Sequence, residues 1–153
     1  MNAQEKKPGT VPGTKERLID AIKEYDDLAR EVAEILAEEI RTAQRQDVPT
    51  IRLVDEMAQI VFLDMTTAYE SLKALLESDD MSKRIEMGDL IETLDRLFGR
   101  LFAYVHDEDV RSTSYNVPML PFVQKMRSLL FEDMIFKFGD ILRAWRAFAY
   151  SPD

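Results

Sequence analysis

Apolar residues recur at helical spacing through four stretches of the chain. Leu18, Ile22, Tyr25, Ala29, Val32 and Leu36 step by fours and threes, and Leu28 and Ile35 widen the stripe. That pattern predicts a helix from Thr14, a suitable N-cap, to about Arg45. Gln46-Asp47-Val48-Pro49 reads as a turn. Val54, Ala58, Val61, Met65, Ala68, Leu72 and Leu75 then predict a second helix over 49–77, antiparallel to the first. Leu90, Leu94, Leu97, Leu101 and Tyr104, flanked by Ile91, Phe98 and Phe102, predict a third over 81–105. His106 to Leu120 reads as one long loop, and a fourth helix is expected over 121–150. Pro8, Gly9, Pro12 and Gly13 break any helix before it starts, so residues 1–13 read as a disordered, flexible tail. The expectation is an all-α fold, an up-and-down bundle of four long helices in a single domain over 14–153. Neither an internal repeat nor a low-complexity tract stands out.

The fourth stretch differs from the other three. Phe122, Met126, Leu130, Met134, Phe138, Ile141, Trp145 and Phe148 form its main row, with Leu129, Ile135, Phe136 and Leu142 beside them. A helix apolar nearly all round must be covered nearly all round. Three amphipathic neighbours cover one broad stripe, which leaves a surplus. Phe131, Ile135, Leu142, Trp145, Arg146, Phe148 and Tyr150 are therefore the expected interaction surface. Trp, Tyr and Arg are the residue types enriched where binding energy concentrates.

Charge narrows the partners. The 153-residue chain carries a formal net charge of −9. Nucleic acid and anionic membrane are bound through clustered Lys and Arg, and here basic residues are dispersed among acids. No direct nucleic-acid binding and no membrane association are expected. No apolar run approaches a membrane span, and the first residues lack the apolar core of a secretory signal. There is no cysteine, so disulfides and thiolate chemistry are excluded. A cytoplasmic protein without a cofactor is the expectation.

Candidate chemistry is sparse. The single histidine sits in His106-Asp107-Glu108-Asp109, which reads as a solvated helix end. Asp64, Asp133 and Asp140 interrupt apolar rows, and Arg96, Arg100 or Arg143 are available to pair with them. No nucleophile–base set can be assembled, so no catalytic residue and no metal ligand are assigned. One pattern points elsewhere: Glu31-x-x-Glu34 on the first helix and Glu56-x-x-Gln59 on the second. It loosely resembles the Mg²⁺ site of MazG-like all-α nucleoside triphosphate pyrophosphatases, over about thirty residues. The resemblance implies Glu31, Glu34 and Glu56 as ligands and Mg²⁺-dependent pyrophosphohydrolysis as an alternative activity. Gln59 stands where that family has an Asp. The leading expectation is a small, acidic, non-enzymatic protein–protein interaction module, a regulator or inhibitor of a protein partner, able to form a homodimer.

Overall fold

The computed structural model describes residues 13–78 and 80–151, so the expected tail over 1–13 lies almost wholly outside the described residues. The chain is an all-α bundle of four antiparallel rods. The first is α1 (Thr14–Arg45). The second is α2 (Arg52–Ala58), a π-helical turn (Gln59–Asp64) and α3 (Met65–Glu77). A 3₁₀ turn (Met81–Lys83) leads into the third, α4 (Arg84–Tyr115). The fourth is α5 (Pro121–Ser128), a second π-helical turn (Leu129–Met134) and α6 (Ile135–Ala149). The first rod packs most extensively on the fourth and the second on the third. The core holds one ring from each rod. Tyr25 lies 6.2 Å from Tyr69, 5.9 Å from Phe98 and 5.3 Å from Phe138, centroid to centroid.

The expected stripe of α1 is the buried one, residue for residue, with Ala21 added. The second rod departs from its expected row. Met57 and Leu76 are buried where Ala58 and Leu75 were expected to be. The π turn explains this. Met57, Val61, Met65 and Tyr69 are all buried and lie four apart. At about 100° per residue, each step of four overshoots a full α-helical turn by about 40°. A straight α-helix would carry such a row round to another face. Widening one turn to i→i+5 absorbs the excess and holds the row inward. The Thr66 hydroxyl donates to the Val61 carbonyl at 3.2 Å, satisfying an acceptor within this stretch. The fourth rod repeats the device: Met126, Leu130, Met134 and Phe138 are buried, again four apart.

The loop expected over 106–120 is instead helix as far as Tyr115, and the connection is only Asn116 to Leu120. Two features hold the extra turns. Glu108, expected in solvent, is buried within α4. Asn116 takes the left-handed conformation (φ 51°) and stops the helix, with Val117 N–H donating to Ser112 O at 3.0 Å. That bond from beyond the helix end to a carbonyl inside its last turn is a Schellman closure. The third rod also buries Ile91 and Val105, with Leu90 and Tyr104 only half-buried at its sides.

The same closure ends α1. Asp47 has φ 55°, and Val48 N–H donates to Ala43 O at 3.0 Å. Laying Asp47 over Asn116 brings Val48-Pro49 onto Val117-Pro118 and Val54 onto Val123. It also brings Met57 onto Met126, Phe62 onto Phe131 and Asp64-Met65 onto Asp133-Met134. Both 32-residue helices and both π turns then coincide to within a residue. Core positions coincide too: Ile22 with Ile91, Val32 with Leu101, Leu72 with Ile141, all buried. The chain is thus two copies of one helical hairpin, contrary to the expectation of no repeat. The identities are too few to stand out in the sequence, and they emerge once burial and helix ends are superposed on it.

Candidate interaction surface

The fourth rod places the seven residues of the expected surface on two sides. Its inward and lateral side takes the rings. Phe131 stacks on Phe102 of α4 at 4.1 Å between centroids, with the Arg127 guanidinium 5.9 Å from its face. Trp145 lies half-buried against α4 at Gly88, where a Cβ would come within 3.1 Å of Trp145 Cζ2. Phe148 is buried, with the Arg84 guanidinium 4.7 Å from its centroid. Arg84 Nη1 also donates to the carbonyls of Ala149 and Ser151, at 3.0 Å each. Those contacts fasten the end of the fourth rod to the start of the third.

The outward side carries Ile135, Leu142, Arg146 and Tyr150, all exposed. Phe136, which lay beside the expected row, is the most exposed ring on this helical face at 73%. Ile135, Phe136, Gly139 and Leu142 recur at helical spacing, so they form one outward strip. Tyr150 continues past the helix end and is 85% exposed. Arg143 pairs with Asp140 beside the strip. Lys137 reaches across to α1, where its ammonium lies 2.7 Å from Glu24. This is the only rod among those described in which basic residues outnumber acidic ones. Lys125, Arg127, Lys137, Arg143 and Arg146 stand against Glu132, Asp133 and Asp140.

The acidic candidates are distributed otherwise. Glu34 accepts from Arg41 at 2.7 Å, and Glu56 pairs with Arg52 at 3.1 Å. Glu31 lines an acidic hollow with Glu34, Glu38 and Glu39, floored by Ile35, Phe122 and Leu129. Among the described residues, no group of three or more carboxylates and imidazoles is arranged to hold a metal ion. The Arg45 and Arg41 guanidiniums hold the Glu38 carboxyl below its ordinary range.

Glu108, from the motif around the lone histidine, has a structural role. Its side chain is 4% exposed. Both oxygens accept from Arg111, at 2.6 and 2.8 Å, and Oε2 also accepts the Leu120 N–H at 2.7 Å. Leu120 is the residue before α5, so Glu108 ties the start of the fourth rod to the third. The Arg111 bonds, aided by the Leu120 amide, depress its pKa against the opposing effect of burial. The neighbouring Asp109 pairs with Arg127 of α5 at 3.2 Å. The Glu-x-x-Arg spacing was the available signal, hidden by reading the segment as a loop.

Among the described residues, no helix is long and apolar enough to cross a membrane. Comparison with family models, curated proteins and solved structures gives no match to this chain.

Proposed function

We propose that this protein is a non-enzymatic interaction module of the cytoplasm, regulating or inhibiting what it binds through the outward face of the fourth rod. The observation that carries the reading is the exposed strip Ile135–Phe136–Leu142. A large exposed ring flanked by two aliphatic side chains at helical spacing is a surface that water tolerates poorly and a partner covers well. Arg143 and Arg146 beside it supply directional polar contacts at a rim. Arg146 and Tyr150 extend the surface toward the chain end. Phe131, Trp145 and Phe148 support it from beneath, holding the rod against α4. A second copy of the chain is the simplest occupant, because a two-fold dimer closes on itself.

Sedimentation of the full chain over a range of concentrations tests this, with Phe136→Ser and Leu142→Ser introduced together. The expected result is a dimer that reverts to a monomer in the double variant, with the melting temperature essentially unchanged. A chain that stays monomeric at every concentration removes the homodimer. An unaltered dimer in the double variant removes this face as its interface.

A further inference from the structure

The two hairpins do not fill the groove between their own rods in the same way. In the second hairpin, Phe102 and Phe131 stack between α4 and the fourth rod, with Phe98 behind them in the core. Phe102 is 6.3 Å from Phe98 and 4.1 Å from Phe131, and Trp145 closes the far end against Gly88. In the first hairpin the matching residues are Ala29 for Phe98, Ala33 for Phe102, Ile19 for Gly88 and Leu76 for Trp145. Only Phe62, the match of Phe131, keeps its ring. Among the described residues no ring stacks on it, and it stands 42% exposed.

Open space runs along this groove, and part of it lies where Ala29 and Ala33 stand in place of the two rings. A cavity of about 280 Å³ lies between α1 and α3 against Ile19, Ile22 and Leu76. A second, of about 150 Å³, adjoins it at Ala29, Ala33, Val61 and Phe62. Both are lined by Asp26, Arg30, Tyr69 and Lys73, so they form one groove. At its back, Tyr69 is buried and its hydroxyl has no hydrogen-bond partner among the described residues, an expensive condition for a polar atom. The mouth carries both signs of charge. Asp26 and Arg30 pair at 3.1 Å, while Lys23, Lys73, Asp27, Glu70 and Glu77 complete the lining.

We infer that the α1–α3 groove is a binding site for a small zwitterionic aromatic molecule, the chemistry of an aromatic amino acid. The ring takes the place on Phe62 that Phe102 takes on Phe131. The carboxylate faces Lys73 and Lys23, and the ammonium faces Asp26 and the neighbouring acids. Mixed lining charge selects a ligand bearing both signs, and the apolar walls select the ring. This site is on the hairpin opposite the outward strip of the fourth rod, and it stands independently of the proposed function.

Methyl NMR of the full chain, observed at Ile22, Val61 and Leu76, tests it with L-tryptophan, indole and L-leucine. Tryptophan is expected to shift these methyls saturably, and leucine to bind at least about tenfold more weakly. Ala33→Phe supplies from the chain the ring found in the other hairpin, and should abolish the shifts while raising the melting temperature. Lys73→Gln, at an exposed position, should weaken tryptophan several-fold and leave indole unchanged. The inference is overturned if tryptophan causes no saturable shift, if leucine matches it, or if Ala33→Phe binds tryptophan as the unmodified chain does. Loss of folding in Ala33→Phe leaves the decision to Lys73→Gln, where an unchanged tryptophan affinity overturns it.

Discussion

The first hairpin (α1 to α3) and the second (α4 to α6) share a frame and differ in filling. Both end the long helix with a left-handed Asp or Asn, turn through Val-Pro, and carry a π turn that keeps a row of fours inward. Where α4 has Phe98 and Phe102, α1 has Ala29 and Ala33. Where Glu108 is buried and accepts from the backbone of the next rod, Glu39 is only partly buried and lines an open hollow. The second hairpin is packed and fastened internally, and the first keeps open space along its groove. The lesson is that a frame set by helix ends and π turns tolerates large changes in what lies between the rods. The difference in filling separates a closely packed half from a half that keeps open space.

The largest expected effect tests the shared frame. Val61 and Leu130 occupy matching buried positions just inside the two π turns. Val61→Asp and Leu130→Asp should each cost more than about 4 kcal/mol, because each buries an unpaired charge. Chemical denaturation that finds either one mild would break the correspondence of the two rows.

Phe98→Ala comes next, at about 3–5 kcal/mol, since it removes a ring that touches both Phe102 and Phe138. A loss below about 1 kcal/mol would mean that the aromatic filling contributes little to the second hairpin.

Glu108→Ala should cost about 2–3 kcal/mol by leaving the Leu120 amide and Arg111 without their acceptor. Glu39→Ala, the matching change, should stay within about 0.5 kcal/mol. The pH dependence follows the same contrast. A carboxyl whose folded pKa is depressed contributes fully above its unfolded value, about 4.3, and loses that contribution as pH falls through the lower folded value. Glu108→Gln should therefore flatten the acid limb of the stability curve, as measured by melting temperature from pH 6 down to about pH 3. An unchanged acid limb would show that Glu108 is not the group responsible.

The smallest effect belongs to the exposed face of α1. Glu34→Ala should change stability by no more than about 0.5 kcal/mol, despite its 2.7 Å contact with Arg41, because both partners lie in solvent. A loss above about 1 kcal/mol would make the network from Glu34 through Arg41 to Arg45 a real constraint on the first hairpin.

The four rods were legible because each contains a row of large aliphatic and aromatic residues at steps of three and four. The row of α1 alternates the two steps and runs straight, so it was read without error. The expected row of the fourth rod opens on a run of fours from Phe122 to Phe138, and that departure from 3.6 was the visible sign of its π turn. The second rod was read as alternating fours and threes, and its run Met57–Val61–Met65–Tyr69 emerges only from the burial. The end of α4 was misread because Asp107, Glu108 and Asp109 look like solvent-facing residues. Only the fold reveals that Glu108 turns inward to a backbone donor 12 positions on. The outward strip was partly legible: an all-round apolar helix announces surplus surface, but not that Phe136 rather than Phe148 supplies it. The groove was not legible, because Ala29 and Ala33 are unremarkable until Phe98 and Phe102 are seen in the matching places.

The short link between Glu77 and Arg84 has a consequence for how chains exchange parts. Each hairpin finds its main packing partner in the other hairpin, first rod on fourth and second on third. If that link straightened, one molecule's second hairpin would be free to complete a neighbour's first, recreating every contact of the bundle between two molecules. Such swapping would yield dimers interconverting only as fast as bundles open, and their proportion would depend on refolding concentration. Two separately produced hairpins, mixed in equal amounts, should likewise assemble into one bundle. Circular dichroism that remains the sum of the isolated parts would show that the covalent link is indispensable.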